Sequence, residues 1–439
     1  MLTSACGDAE GRCPTIVPAE RALGVAHISP ASGGVAHAAR RLHAGLLGKG
    51  VNSRFFDGGT SPLDSCGREA YRYSLPKRPL HLADRLSRYI DRQLGLTGMI
   101  HVSSLLWSFP EFNVIHLHGM DSSWFNLHAL TGLDRSHALV WTMHDKHLGT
   151  GACGYPEFWG DCERWRSGCG KCPKVRKEGW LIDFTRLVHA RKRSIIARTQ
   201  MAIVAPSQWM LDFVTASPIT RNQPLRLIPN GVDTTVFAPL SLAQSRRDVG
   251  LPARGRLLLS VASLLGQPRK GFQYYHELLA SLKSQCDEDI GLVLVGIPPT
   301  DATVAELRAV LPVHVLGAID KPALLAKIYS ASDVFVTTPM IDNFPSVVLE
   351  SIACGTPVAG FGVGGIPDVI VPGRTGVLVK CGDTFGLASK IGDLFKDTET
   401  LDRMRRYCRD DAVRKYSLEM QATRYIELYQ ELLNTRLHA

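Results

Sequence analysis

Two carboxylates stand eight residues apart in the second half of the chain. Asp342 follows the apolar run 334–338, and Glu350 lies in a helical pattern among valine, leucine and isoleucine residues. A carboxylate on such a helix is costly to bury without a partner. The hydroxyls of a ligand's diol would supply one, and a structural salt bridge is the alternative. Asp342 is either a second ligand contact or a loop residue, and Asn343 or Ser346 is expected to cap the helix.

Four cysteines crowd into one segment with the spacing C-x8-C-x6-C-x2-C: Cys153, Cys162, Cys169 and Cys172. This pattern fits a tetrahedral Zn²⁺ site with four thiolate ligands, and two disulfides or free thiols are the alternatives. Other cysteines occur singly in apolar segments, which favours a reducing, cytoplasmic setting. A zinc ion here would be structural and would hold the Cys-rich loop over 150–175.

Glycines and histidines follow predicted strands in the first half of the chain. Gly33 and Gly34 lie between the first strand and its helix, where glycine lets backbone N–H groups approach a phosphate or sugar. A tight turn is the alternative. His118 and His144 each end a predicted strand, and ligands bind at the carboxyl ends of parallel strands. Each histidine is therefore either a site residue or a structural residue with its own partners.

Apolar runs alternate with helical patterns along most of the chain, in two series. Such runs predict parallel sheets covered by helices on both faces, so we expect two doubly wound, Rossmann-like α/β domains facing across a cleft. Strands are predicted at 23–29, 51–56, 114–119, 138–144 and 201–206, then at 257–263, 291–297, 313–319, 334–338, 357–361 and 376–379. Helices are predicted at 35–48, near 123–132, near 180–198 and at 417–436, besides those between the later strands.

The domain boundary is expected within 232–255. We expect an N-terminal extension over 1–22, an N-terminal domain over 23–235 and a C-terminal domain over 236–410. A helical segment over 411–439 can pack back on the N-terminal domain.

Composition and charge limit the class of protein. The chain has 439 residues, of which 45% are hydrophobic and 21% charged, which is typical of a globular protein and excludes a disordered chain. Residues 1–235 carry the whole net charge of +9, so the two halves are expected to have different partners. A basic amphipathic pattern within 60–100 suits an anionic membrane surface, or else a solvated helix face.

No apolar run reaches the length of a membrane span, and the first 22 residues lack the apolar core of a signal peptide. The expected location is therefore the cytoplasm, either free or, if the basic segment contacts a membrane, attached at the inner face of the plasma membrane.

Several motifs together resemble one enzyme family. Asp342 and Glu350, with the following ACGTPVAGFGVGGIPDVI, resemble the E-x7-E region and glycine-rich turn of retaining glycosyltransferases of family four, which have the GT-B fold. IPNGVD at 228–233, APSQW at 205–209 and Lys270-Gly271 match as well. WTMHD at 141–145, followed by the Cys-rich loop, resembles the exopolysaccharide, colanic-acid-type members. The resemblance covers roughly residues 24–395.

The resemblance implies a nucleotide-diphosphate sugar as donor and a polyprenyl-linked or oligosaccharide acceptor in polysaccharide biosynthesis. It implies that Glu350 holds the ribose hydroxyls, Asp342 the hydroxyls of the transferred sugar, and Lys270 the departing diphosphate. His118 would contact the transferred sugar, and the chemistry would need no cofactor, no Mg²⁺ and no protein nucleophile. The other implied donor contacts are Gly33, Gly34, Arg269, Asn343, Phe344, Val347, Gly364 and Gly365, and His144 and Asp145 are expected on the acceptor side.

The chain departs from the family pattern at four positions. Asp342 replaces the usual Glu, and Asp368 stands where Glu is common. Ser263 lies near the position of a usual Arg, so either Arg269 supplies that charge or the site is weaker. Pro345 removes a backbone N–H that a glycine would offer to the sugar. The donor therefore stays open among GDP-mannose, GDP-fucose and UDP-hexoses.

Two other functions compete with the transferase hypothesis. A sugar-nucleotide epimerase can use the same fold, and product analysis would separate the two. A basic, zinc-containing nucleic-acid-binding module is the third hypothesis. Because the basic residues are not interleaved with stacking aromatics and no nucleic-acid motif occurs, we expect no nucleic-acid partner. The absence of a strand followed by GxGxxG disfavours a nicotinamide oxidoreductase.

Overall fold

A computed structural model of the chain describes residues 22–30, 33–57, 86, 89–90, 109–119, 125–179 and 182–437. The predicted N-terminal extension lies outside the described residues except for residue 22. The predicted basic segment within 60–100 lies almost wholly outside them, so its membrane contact stays a prediction. Among the described residues, no helix combines the length and apolarity needed to cross a bilayer.

The N-terminal domain is built on a six-stranded parallel sheet in the order β2-β1-β3-β4-β5-β6. Four of its strands are buried along their whole length, which explains their continuous apolar runs. The strands are β1 (Gly24–Ser29), β2 (Asn52–Asp57), β3 (Val114–His118), β4 (Ala138–Thr142), β5 (Met201–Ala205) and β6 (Leu225–Leu227).

The C-terminal domain repeats this architecture with a second parallel sheet in the order β12-β11-β10-β7-β8-β9. Apolar clusters lie on both faces of the sheet, against the helices that cover it. The strands are β7 (Arg256–Leu264), β8 (Ile290–Ile297), β9 (Val313–Gly317), β10 (Val334–Thr337), β11 (Val358–Phe361) and β12 (Gly376–Val379).

Helices connect the strands in both domains, and the prediction of two doubly wound parallel domains is confirmed. The N-terminal helices are α1 (Gly33–Gly48), α2 (Ala129–Leu133), α3 (Pro173–Lys177), α4 (Thr185–Ile196) and α5 (Gln208–Ala216). The C-terminal helices are α6 (Leu242–Asp248), α7 (Tyr275–Gln285), α8 (Asp301–Arg308), α9 (Pro322–Ser330), α10 (Ser346–Ala353), α11 (Ile366–Val369), α12 (Thr384–Lys396), α13 (Thr398–Tyr416) and α14 (Leu418–Leu437).

The last helix, α14, packs on the N-terminal domain although it follows the C-terminal one. Its Tyr425, Leu428 and Tyr429 lie in a buried cluster with Leu42 and Leu46 of α1. The apolar positions at helical spacing in 417–436 are therefore the face that covers the first sheet.

The chain passes between the domains twice, and the two crossings lie side by side. The backbone N–H of Val232 donates to the carbonyl oxygen of Tyr416 at 2.8 Å, and the N–H of Leu418 donates to the carbonyl oxygen of Val232 at 3.2 Å. The loops that leave the carboxyl ends of strands in each sheet contact one another next to this double crossing.

Candidate functional site

Asn343, in the loop after β10, joins the two domains. Its Nδ2 donates to the carbonyl oxygens of Met143 at 2.9 Å and His144 at 3.0 Å, and its Oδ1 accepts from the Oγ of Ser207 at 2.7 Å. The expectation that Asn343 or Ser346 caps α10 is wrong, because Pro345 occupies the cap position without a side-chain bond. The amide of Asn343 is used between the domains instead.

Replacing Asn343 with alanine is expected to destabilise the closed arrangement of the domains. The change removes a donor from the carbonyl oxygens of buried Met143 and half-buried His144, and an unsatisfied buried group costs about 1–3 kcal/mol. Thermal unfolding should occur at a clearly lower temperature, and small-angle scattering should show a larger radius of gyration. Asn222, which is exposed, provides the control, and equal effects of Asn343→Ala and Asn222→Ala would contradict the assignment.

Asp342 is buried beside two cations. Its Oδ2 accepts from the Nζ of Lys270 at 2.7 Å and lies 3.3 Å from Nη1 of Arg269. Burial alone would raise the pKa of Asp342, but the charges of Lys270 and Arg269 outweigh it and hold that pKa below its ordinary value. The group therefore carries one anion and two cations at neutral pH, which leaves it net positive.

A residue of the Cys-rich loop reaches this charged group from the other domain. The guanidinium carbon of Arg269 lies 4.5 Å from the centre of the Tyr155 ring. Burial and the nearby charge of Asp342 both raise the pKa of Tyr155 above its ordinary value, so its hydroxyl stays protonated. The loop after β4 is thereby packed against the acidic and basic residues that follow β7 and β10.

Glu350, on α10, also pairs across the domains. It forms an ion pair with Arg41 of α1, and its Oε2 accepts from the hydroxyl of Tyr329 at 3.1 Å. The glutamate is only 6% exposed, so these partners stabilise a charge that would otherwise be costly to bury. Arg41 in turn packs on the ring of Phe237 at 5.5 Å. Of the two alternatives for Glu350, the structure contains the salt bridge, placed at the interface between the domains.

The glycine-rich turn after β11 packs against the loop that carries the acid. A Cβ on Gly364, whose φ is +57°, would lie 1.8 Å from the carbonyl oxygen of Asp342, and one on Gly365 would lie 1.8 Å from that of Asn343. The N–H of Gly365 donates to the carbonyl oxygen of Asp342 at 3.0 Å. Glycine is therefore needed at both positions for the two loops to pack closely. This packing explains the two glycines in addition to the phosphate contact that the sequence predicts for them.

The other predicted donor contacts differ in their exposure to solvent. Gly33 and Gly34 begin α1 and are exposed, and a Cβ on either would meet nothing within 4 Å. Val347 lines a cavity of about 20 Å³ together with Lys270 and Asp342. Phe344 is instead buried in the core.

On the predicted acceptor side, Asp145 is half-buried and accepts the N–H of His147 at 2.9 Å, within its own loop.

His118 is buried within a chain of histidines, as its structural alternative requires, and its contact with the transferred sugar stays a prediction. It is 1% exposed, and its Nε2 and Nδ1 lie 3.1 Å from nitrogens of His27 and His144 respectively. His144 is half-buried and lies at the contact with Asn343. Of the two predicted histidines, His144 is therefore the one positioned at the opening between the domains.

A fourth histidine, His116, extends this network toward the C-terminal helix. Ring nitrogens of His27, His116 and His118 lie within 4.8 Å of one another, close enough that the three imidazoles could hold a metal ion. However, both nitrogens of His116 already have partners, the hydroxyl of Tyr429 at 2.6 Å and Oγ1 of Thr142 at 2.8 Å. The cluster is therefore best described as a hydrogen-bonded network of neutral imidazoles.

Acid is expected to destabilise the protein through these histidines. Burial, the main cause, lowers the pKa values of His27, His116 and His118 well below 6.5, and it lowers that of His144 to about 4. The unfolded chain binds protons at these groups near pH 6.5 and the folded chain does not. Stability is therefore full above pH 6.5 and falls as the pH drops toward 4, by up to about 1.4 kcal/mol per pH unit for each imidazole.

Chemical denaturation at several pH values measures this slope. A His27→Gln variant should have a shallower slope by about one proton, whereas His276→Gln, which removes an exposed imidazole, should leave it unchanged. A slope that is the same in both variants would contradict the buried-histidine explanation.

A larger cavity lies away from these residues. It measures about 520 Å³ and is lined by the segment before α6, the end of α10 and the side chains of Arg405, Arg406 and Arg409 on α13. Arg405 pairs with Asp333, and Arg409 donates to backbone carbonyls, so these guanidinium groups support the fold. The interdomain contacts of Asn343 lie instead at the carboxyl ends of β4 and β10, where doubly wound sheets bind ligands.

Sequence reasoning missed three residues of this site. Arg41 stands on the polar side of a predicted helix, Tyr155 lies in a loop without periodicity, and His27 is inside an apolar strand. Only His27 carried a signal, since a histidine in a fully buried strand needs a partner. The four predicted metal-ligating cysteines lie together in the loop between β4 and α4.

Comparison with known proteins matches both domains to glycosyltransferase families. Residues 32–236 match the family model described as Glycosyltransferase Family 4, and residues 243–411 match the model described as Glycosyl transferases group 1. Together the two matches cover most of the described chain.

Over the aligned region, the individual relatives are between about a quarter and a third identical to this chain. N-acetyl-alpha-D-glucosaminyl L-malate synthase of Bacillus anthracis is 28% identical over 48% of this chain and 55% of its own length. The colanic acid biosynthesis glycosyl transferase WcaC of Escherichia coli K12 is 27% identical over 75% of this chain and 80% of its own length. The chain spans about half the length of most of the curated relatives it matches.

Solved structures share the fold. The crystal structure of Anabaena HepE in complex with UDP-glucose superposes with a TM-score of 0.62 at 17% identity, covering 93% of this chain and 100% of the other. At this identity the likeness establishes the GT-B architecture, two parallel-sheet domains facing one another.

Proposed function

The chain belongs to the GT-B glycosyltransferases, and we propose that it transfers a sugar from a nucleotide-diphosphate sugar to an oligosaccharide or polyprenyl-linked acceptor, with retention of anomeric configuration. The observation that carries the proposal is the charged group between the domains, in which Asp342 lies beside Lys270 and Arg269. The likeness to WcaC supports a role in the biosynthesis of an exopolysaccharide.

Glu350 is proposed to bind the ribose of the donor. A carboxylate can accept hydrogen bonds from both hydroxyls of a diol, and such charge-assisted bonds are stronger than neutral ones. Arg41 contacts one side of this carboxylate, so the ribose would share Glu350 with the guanidinium or displace it. The solved complex of HepE with UDP-glucose supports a nucleotide sugar as the class of donor.

The diphosphate is proposed to lie between Lys270 and the first turn of α1. Gly33 and Gly34 begin this 16-residue helix and are exposed, so its first N–H groups are accessible to an anion. Lys270 and Arg269 exceed the charge of Asp342 by one, which leaves positive charge for a leaving group. Positive groups fixed where negative charge develops are a strong means of lowering a barrier.

The proposed reaction is a displacement on one face of the sugar. The acceptor oxygen forms a bond to the anomeric carbon as the bond from that carbon to the diphosphate oxygen breaks. The departing phosphate oxygen takes the proton of the acceptor hydroxyl, and the products are a glycoside and a nucleoside diphosphate. Asp342 would hold hydroxyls of the moving sugar, so the protein contributes positioning and electrostatics.

A ligand screen followed by product analysis tests this function. The donor should raise the unfolding temperature, since a ligand at 100 times its Kd stabilises the folded chain by about 2.7 kcal/mol. Nuclear magnetic resonance of the product should show the anomeric configuration of the donor. Inversion of that configuration would overturn the retaining mechanism. Release of an epimerised nucleotide sugar would favour an epimerase, and no response to any nucleotide sugar would overturn both functions.

A further inference from the structure

The four cysteines of the loop after β4 line one cavity, and we infer that they form a structural Zn²⁺ site, in which the ion draws their sulfurs together. Cys153, Cys162, Cys169 and Cys172 all line a single cavity of about 10 Å³, roughly the volume that one water-sized sphere occupies. All four are free thiols, and the structure contains no disulfide between them. Four thiols that line one small cavity supply the ligand set of a closed structural zinc site, and binding would bring closer sulfurs of which no three yet lie within 4.8 Å of one another.

The backbone around the C-x2-C pair has the shape of a tight knuckle. Gly168, Cys169, Gly170 and Lys171 all have positive φ angles, of 111°, 57°, 88° and 48°. Such values are strained for Cys169 and Lys171, and strain of this kind persists where the surrounding structure imposes it. Since Cys169 lies in this turn and Cys172 follows it, the strain is explained if both sulfurs must reach the same ion.

Backbone groups already support the sulfurs. The N–H of Gly151 donates to the Sγ of Cys169 at 3.2 Å. The N–H of Cys172 donates to Oδ2 of Asp183 at 2.7 Å, and the same side chain accepts from Thr185, which ties the knuckle to the start of α4. Hydrogen bonds of this kind hold ligating residues in position around a metal.

The site would stabilise the loop that reaches the other domain. Tyr155 lies between the ligands Cys153 and Cys162, and its ring packs on Arg269 at 4.5 Å. Lys146 and Glu157 form a further ion pair within the same loop. A zinc ion would therefore fix a loop that has only short helical turns of its own and that presents Tyr155 to the C-terminal domain.

Metal analysis of the purified full-length protein tests the site. Inductively coupled plasma mass spectrometry should find about one zinc per chain. The variants Cys169→Ser and Cys172→Ser should lose most of it, whereas Cys381→Ser, which changes an exposed cysteine outside the loop, should keep it. Zinc retained by all three variants would overturn the proposal, as would iron in place of zinc.

Measurements on the unaltered protein decide the matter if the serine variants fail to fold. Titration with a mercurial should release zinc in proportion to the thiols modified, and Co²⁺ exchanged into the site should show sulfur-to-cobalt charge-transfer bands. A folded, metal-free chain would overturn the site, whether its four loop thiols react freely with Ellman's reagent or are paired in disulfides. None of these readouts depends on sugar transfer, so the site and the proposed function can fail independently.

Discussion

Replacing Lys270 with methionine should lower kcat by about 10²–10³-fold, the usual cost of removing one group that stabilises developing charge. Lys270 is one of the two cations that pair with Asp342. Without the charge of Lys270, Arg269 and Asp342 cancel, and the group is neutral instead of net positive. The leaving diphosphate would then lose its fixed counter-charge. The measurement is initial-rate kinetics with the donor that the ligand screen identifies.

The stability of the Lys270→Met variant separates a catalytic effect from misfolding. Arg269 still pairs with Asp342, and the Lys270 side chain is 28% exposed, so the unfolding temperature should change little. Lys327, whose Nζ pairs with Asp248 at 2.6 Å on the surface of the same domain, provides the matched control. An unchanged kcat in Lys270→Met, or an equal loss in Lys327→Met, would remove Lys270 from the chemistry.

Most strands could be predicted because they are buried on both faces. The apolar runs at 114–119 and 291–297 were expected as strands, and β3 (Val114–His118) and β8 (Ile290–Ile297) occupy them within two residues. β6 (Leu225–Leu227) was missed because it has three residues and is half-buried to exposed, so it has no apolar run. The predicted helix near 123–132 is shorter, at Ala129–Leu133.

The side chains of the site could be predicted, but their partners could not. Asp342 and Glu350 were expected from a short local pattern, whereas their partners lie 72 and 309 positions away in the chain. Asn343 was expected as a helix cap because asparagine favours that position, and the domain contact that uses its amide leaves no trace in local sequence. His118 was expected either as a site residue or as a structural residue, and nothing local indicates that β1 places His27 beside it.

Replacing Glu350 with glutamine should weaken donor binding by about 10²-fold, since a charge-assisted hydrogen bond is worth about 1.5–3 kcal/mol. The amide keeps the shape of the side chain and can still accept from the hydroxyl of Tyr329, so the buried site stays filled. It cannot accept from both hydroxyls of a ribose. Equilibrium titration with the nucleoside diphosphate alone measures the loss, because this ligand contains the ribose but not the transferred sugar.

The same substitution breaks the ion pair with Arg41, so a double-mutant cycle is needed to distinguish ribose binding from a structural role. Suppose first that Glu350 acts only as the partner of Arg41. Each variant then removes the same ion pair, so nucleotide affinity should fall equally in Glu350→Gln, in Arg41→Met and in the double variant. If Glu350 also holds the ribose, Arg41→Met frees the carboxylate and should keep or improve affinity, while both variants that contain Glu350→Gln lose it. Arg41 lies on α1 and Glu350 on α10, so this outcome would also mean that domain closure and donor binding compete for one carboxylate. In that case Arg41→Met and Glu350→Gln, which both break the ion pair, should each show a more open scattering profile.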